Sequence, residues 1–340
     1  MTRLRTAAAL LAVIYVAAAA AGFLAPYSPT EQNRRFPFAP PMTLRFVDAS
    51  GRFYLRPFVY SLVPRANTFD VYDEDRTRAH AIRFFVTGAR YRFAGLVPSS
   101  RHLVGIDGPE RLFLMGSDEY GRDVFSRLLH GAGISLGAGL LAAAVAVGLG
   151  LVAGGAAGFH GGVVDNAVMR GAELMMAVPS LYLLLAVRAA LPLHLEPAET
   201  FVLLVTVVGV VGWARPARLV RAVVLSARTR DFVVAARSSG ASNTRVLARH
   251  VLPETTGVAL TQFALLVPQC ILAEVTLSFF GLGVSEPVAS WGSMLADLQR
   301  FHILAAGHWW LFSPGVAILA VFLLYYAITD ALHQRLMLRS

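Results

Sequence analysis

The chain has 340 residues, of which 56% are hydrophobic and only 15% charged, with a mean hydropathy of +0.58 and a net charge of +9. A soluble domain carries about 25% charged residues, so this apolar excess points to a membrane protein. All 30 basic residues are arginine, which removes the lysine of a P-loop ATPase and the amine of Schiff-base or pyridoxal catalysis from this polypeptide.

A basic head with Arg3 and Arg5 precedes the first apolar run, 7–24. Its Ala-rich end offers A-x-A sites, so a cleaved signal peptide competes with a retained anchor. The run is longer than a usual signal core, which favours retention, and residues 1–25 read as an N-terminal transmembrane helix. Residues 26–112 have ordinary charged composition and read as an extracytoplasmic insert, partly β. Within it, 43–47 and 52–55 flank Asp48-Ala49-Ser50-Gly51 as strand, turn and strand. The pattern predicts a second hairpin from 82–86 and 90–93, turning at Thr87-Gly88-Ala89. Its alternation of Arg90, Tyr91, Arg92 and Phe93 would put arginines on one face and aromatics on the other. Such a sheet serves either as a small cap with its own core or as a docking surface.

Residues 113–340 read as a five-helix core. Val124, Phe125, Leu128 and Leu129 form one apolar helical stripe, predicting a helix at the outer interface. Apolar runs follow near 132–158, 171–190, 201–214, 256–282 and 309–329, candidates for helices that cross a bilayer core of roughly 20 residues. The fold class expected is therefore an all-α polytopic membrane protein of six transmembrane helices with a β-rich insert. The single cysteine, Cys270, excludes an intrachain disulfide and any multi-cysteine metal site.

Arginine placement sets the orientation. Residues 215–252 hold eight arginines against one acid, Asp231. The loops at 191–200 and 283–308 are poorer in arginine and richer in acid. The 215–255 loop and both termini are thus expected in the cytoplasm. The basic isoelectric point of about 10.3 follows from this topology, and no nucleic-acid partner is expected.

Ionisable groups at membrane depth are costly and few. Glu173, Arg188 and Asp330 fall near span ends, leaving Glu274 as the deep one. It reads as a structural carboxyl bonded to a neighbouring helix or as part of a translocation path. His302 and His308 lie six apart in a loop, which is weak ground for a metal site. No catalytic arrangement is legible.

The loop is punctuated from Asp231 to Pro253. Gly240 suits the left-handed position that ends one helix, Ser242 or Asn243 can cap the next, and Pro253 closes it. Two short helices with a turn make a rigid protrusion. Ala235, Ala236, Gly240, Leu252 and Pro253 stand at the spacing of the EAA loop, which this segment resembles: the ATPase-coupling loop of ABC importer permeases. Val234 replaces the pattern's Glu, and His250 replaces its Ile. The stretch with Gly116, Asp118, Gly121, Arg122 and Asp123 resembles the G-T-D-x-x-G-R-D elbow of the dipeptide/oligopeptide/nickel branch, with Ser117 for Thr. Residues 273–295 resemble the end of that branch's fifth span and its outer loop. The insert resembles the larger outer loops of some oligopeptide and microcin-type relatives.

The resemblance covers about 7–25 and 112–335. It implies a type I ABC importer permease fold and the second of two paired permease subunits, in the bacterial inner membrane. It implies as partners a second permease chain, two ABC ATPases that bind ATP and Mg, an external substrate-binding protein and the bilayer. No cofactor and no enzymatic step belong to this chain. The cargo implied is di- or oligopeptide first, then nickel or a glycoside. The alternatives are an ion-coupled secondary transporter, a non-transport membrane scaffold and an exporter.

Overall fold

The computed structural model describes residues 2–65, 70–93, 97–108, 110–190, 192, 195–300, 303 and 305–337. They form two compact units: Met1–Leu11, Leu136–Gly283 and Ala320–Ser340 in one, Ala12–Ser135 and Val284–Leu319 in the other. The fold is largely helical with an antiparallel sheet. Three helices are long and apolar enough to cross a membrane, or up to five if each of two bent pairs is one span.

The first unit is helical. Most of α3 (Val124–His160) belongs to it, followed by α4 (Gly162–Ala177) and α5 (Ser180–Ala189), bent from each other by 93°. Next come α6 (Pro197–Gly212) and α7 (Ala214–Ala227), bent by 46°. The run predicted at 171–190 is therefore a broken helix pair, while the run at 201–214 lies almost wholly in α6 and the bend comes where α7 begins. Pro179 marks the first break; its ring disfavours helix in the residue before it. Gly150, Gly154 and Gly158 recur every fourth residue on α3, as small residues do where helices pack closely in membranes. A Cβ on Gly154 would stand 2.2 Å from the Ala217 carbonyl oxygen. This contact fixes α7, which carries Arg215, Arg218 and Arg221 and leads into the rest of the arginine-rich segment.

That segment folds as α8 (Asp231–Ser238) and α9 (Asn243–Val246), a π-turn at Leu247–Val251, a 3-10 turn at Leu252–Thr255, and α10 (Thr256–Phe279). Pro253 was expected to close the helix, but the helical path continues through it. Proline lacks an amide proton and crowds the preceding turn. The wider π-turn before it and the tighter 3-10 turn around it absorb both effects.

In the second unit α1 (Thr2–Ala19) ends and α2 (Ala21–Leu24) follows. The sheet runs β1 (Arg45–Val47), β2 (Phe53–Pro64), β3 (Tyr72–Phe93) and β4 (Val97–Ile106), each antiparallel to the next. The first hairpin stands where the pattern put it, with Val47 opposite Phe53. The second does not exist. β3 passes straight through 87–89 with a register shift, and Thr87 pairs with Arg101 of β4. Gly88 marks a close approach instead of a turn: a Cβ there would lie 2.7 Å from the His102 ring. Phe36, Met42, Val59, Leu62, Ile82, Leu112 and Phe113 form the core beneath the sheet.

The stripe at 124–129 makes no separate interfacial helix; it is the first turns of α3. Val124 and Leu128 pack with Phe38, Met294, Trp310 and Leu311. No proline interrupts 124–160, so nothing breaks the helix there. Next come α11 (Trp291–Ala296) and α12 (Ser313–Met337).

Candidate functional site

Two constellations stand out, one in each unit. In the second unit, residues 116–127 fold back on themselves around Asp118. Its Oδ1 accepts the Tyr120 and Arg122 amides, both at 2.9 Å. Its Oδ2 accepts Arg122 Nε at 2.6 Å and lies 3.5 Å from Arg127 Nε. Gly121 (φ +69°) closes the turn, and a Cβ there would fall 1.8 Å from the Asn33 carbonyl oxygen. No side chain fits. Ser117 does what a threonine would, because only its hydroxyl is used: it donates to the Phe36 carbonyl and accepts from the Ala39 amide.

Asp118, Arg122 and Arg127 are all buried. Two guanidiniums against one carboxylate would leave an uncompensated charge, which is expensive inside a protein. Glu286 supplies the balance. Its Oε2 takes Arg122 at 2.6 Å and its Oε1 takes Arg127 at 3.0 Å. Burial works against ionisation of Glu286, yet Arg127 and Arg122 hold its carboxyl below the usual range. Burial likewise opposes the charge on Arg122, but Asp118 and Glu286 outweigh it and raise its pKa. The sequence presented Glu286 only as a member of a loop, and Arg127 only as a residue after the motif. Nothing in their spacing, more than 150 positions apart, signalled a pair.

Asp123 is buried beside this cluster. Its Oδ2 accepts the Ser126 amide at 2.7 Å and the Ser126 hydroxyl at 2.6 Å, while its Oδ1 has no hydrogen-bond partner. Burial pushes its pKa up to about 7 against those two bonds. Burial also pushes Asp297 up to about 6. A carboxyl with a raised folded pKa binds more protons folded than unfolded, so stability falls as pH rises toward that value. These two carboxyls therefore contribute a slope that favours pH 5.5 over pH 8, while His130 and His308, whose pKa values burial lowers, contribute one of opposite sign. Asp123→Asn should remove its share of the first slope, as read by melting of the purified complex at the two pH values.

In the first unit, Val233, Val246 and Val251 bury against Phe159, Val220, Val224 and Ala227. This packing anchors the arginine-rich segment and leaves its other side bare. Gly240 takes φ +81° between α8 and α9 with nothing within 4 Å of a Cβ position. The Ser242 hydroxyl caps α9 by accepting the Arg245 amide at 3.4 Å. Ala235 is exposed, together with Phe232 and Val234, while Ala236 packs inward. Val234, at the position of the pattern's Glu, is 55% exposed. Leu252 reaches over Gly155 of α3, and Pro253 is exposed. The arrangement is an apolar knob with an arginine fringe, built from backbone turns and small side chains. It can bind a protein groove, and it presents no reacting group.

Glu274 is fully buried in α10, where it accepts the Ser278 hydroxyl at 2.7 Å on its own helix. Arg188 is buried too; its guanidinium donates to the carbonyls of Leu282 at 2.8 Å and Pro192 at 3.0 Å. His308 stacks on Phe38 at 4.5 Å, and His302 lies outside the described residues. Among the described residues no group of three or more His, Cys, Asp or Glu could hold a metal ion.

Residues 146–338 match the family described as binding-protein-dependent transport system inner membrane component. The dipeptide transport system permease protein of Bacillus subtilis is 38% identical over 223 residues, 65% of this chain and 67% of that one. The oligopeptide permease protein of the same organism is 35% identical over 239 residues, 70% of this chain and 76% of its own. The nickel transport system permease protein of Escherichia coli is 34% identical over 237 residues, covering 68% and 83%.

Proposed function

The chain belongs to this family and is a permease subunit of an ABC importer, and we propose that its cargo is di- or oligopeptide handed over by an external binding protein. The peptide relatives support that cargo. The observation that carries the mechanism is the exposed two-helix knob, which holds Ala235, Gly240 and Ser242 at a bend with open space beside the Gly240 Cβ position and Ala236 and Ala241 packed beneath it.

In this reading residues 1–25 form a first span, 26–112 an outer insert, and 113–340 a five-span core, six spans in all. The arginine excess at 215–255 supports a cytoplasmic position for that segment in a bacterial inner membrane, and the basic head and tail support the same for both termini. A second permease chain completes the path, and two ATPases carrying ATP and Mg dock on the knobs. Closure of the ATPase dimer pulls α8 and α9, and the spans swing as rigid bodies between outward- and inward-open states. Ala236, Leu252 and Pro253 transmit the pull into α3 and α10. Glu274, fully buried and bonded to Ser278 on its own helix, serves as a structural carboxyl of the fifth span in place of the translocation role the sequence also allowed. The cluster of Asp118, Arg122, Asp123 and Glu286, with Gly116 and Gly121 at its turns, braces the outer face where the binding protein arrives.

The test is affinity purification of the tagged chain from its native membrane, followed by peptide uptake in proteoliposomes made from the recovered complex. A second permease chain, P-loop ATPases and ATP-dependent peptide uptake are the expected result. A homo-oligomer with no ATPase would overturn the coupling mechanism. Uptake of nickel but no peptide would overturn the cargo.

A further inference from the structure

We propose that the end of the β3–β4 hairpin rests on the membrane–water boundary, with exposed aromatics dipping into the lipid and three free arginines holding anionic phospholipid headgroups. The inference goes beyond the transport function, and it rests on reading α1 and α2 as a membrane-crossing segment.

Residues 7–24 are apolar and almost continuously helical, and with α2 added to the short apolar helix α1 they approach the about 20 residues that fill the hydrocarbon core. Residues 22–25 therefore sit near its edge. The hairpin is attached to that edge. The Tyr91 ring lies so close to Gly22 that a Cβ there would be 2.4 Å away. The Phe85 and Phe23 rings are 6.1 Å apart. His102, buried in β4, bonds the Ala25 carbonyl through Nδ1 at 2.6 Å. Three separate contacts thus hold the hairpin at the level where the chain leaves the bilayer.

The surface presented at that level is of a particular kind. Phe84, Phe85, Phe93 and Val97 are 61%, 60%, 43% and 61% exposed, and Phe93 stands opposite Val97 across the strand pair. Arg90, Arg92 and Arg101 are exposed, and among the described residues their side chains make no ion pair or hydrogen bond. By contrast Arg83, in the same strand, is paired with Asp107 at 2.6 Å. Aromatic rings enrich at the interface of a bilayer, and guanidiniums bind phosphate as a planar fork. Arg90 and Arg92 lie on the strand face opposite Tyr91 and Phe93, so the hairpin end beside the span carries bare rings on one face and unpaired arginines on the other, which fits a lipid boundary with anionic headgroups.

The test labels single cysteines with a nitroxide in the full transporter, in nanodiscs with and without phosphatidylglycerol; native Cys270 is buried. Phe93→Cys reports the hairpin, Leu55→Cys the distant part of the sheet, and Val16→Cys the exposed side of α1. The Phe93 label should collide with oxygen severalfold more, relative to a water-soluble nickel chelate, than the Leu55 label. Phosphatidylglycerol should raise that ratio, and Arg90→Ser, Arg92→Ser and Arg101→Ser together should abolish the rise. A Phe93 label as open to the chelate as Leu55 would overturn the proposal. So would one shielded from both reagents, which would mean a protein covers the patch. A rise that survives removal of the arginines would overturn the headgroup assignment. A Val16 label open to the chelate would instead sink the reading of the first helix.

Discussion

Asp118→Ala should make trypsin cleave after Arg122 and Arg127 about a hundredfold faster or more than in the parent chain. The carboxylate is buried and does two things at once, tying the turn through the Tyr120 and Arg122 amides and neutralising Arg122 and Arg127. Without it, two buried guanidiniums face only Glu286, whose side chain is half exposed. Removing one partner from a buried ion pair costs about 3–5 kcal/mol, and each ~1.4 kcal/mol is a factor of ten in an opening equilibrium. Glu119→Ala is the control. Glu119 pairs with Arg300 at the exposed rim, where such pairs are worth about 0–1 kcal/mol, so cleavage should change little. The measurement is peptide mapping after brief digestion, and equal rates in parent and Asp118→Ala would refute the charge-balance account.

Gly240→Pro should abolish ATP-driven uptake while the chain remains in the membrane. Gly240 sits at φ +81°, and proline is locked near −65°, so the turn between α8 and α9 cannot form. Space is not the constraint, since nothing lies within 4 Å of a Cβ position. Asparagine visits the left-handed region with little strain, and Gly240→Asn should retain most uptake. Transport assays on the pair, with membrane content measured by immunoblot, separate backbone geometry from side-chain bulk. Full uptake in Gly240→Pro would remove the knob from the coupling mechanism.

These two sites were legible in the sequence to very different degrees. The knob is local: a helix stop, a cap and a proline within twenty residues, each with its own backbone signature. The sequence reading located its turn and its cap. It erred at Pro253, because a π-turn is invisible to periodicity. The charged cluster is non-local. Its turn residues were visible as a motif, but Glu286 and Asn33 come from distant segments that no spacing rule connects. The sheet failed for a third reason. Thr87-Gly88-Ala89 has turn composition, and only the His102 ring packed against Gly88 explains a glycine inside a continuous strand. The broken helix pair at 171–190 illustrates the same limit, since hydropathy averages over a bend.

The π-turn at Leu247–Val251 also sets an angle. An α-helix advances about 100° per residue, and a π-turn holds one residue more than the α-turn it replaces. Deleting one residue there would return the path to α-helical phase and swing α8 and α9 by roughly that angle about the axis of α10. The distance from Gly240 to Pro253 is thus a dial setting: it fixes the compass bearing of Phe232 and Val234, and a single inserted or deleted residue would turn them elsewhere and pull Val233 and Val246 off Phe159 and Val224.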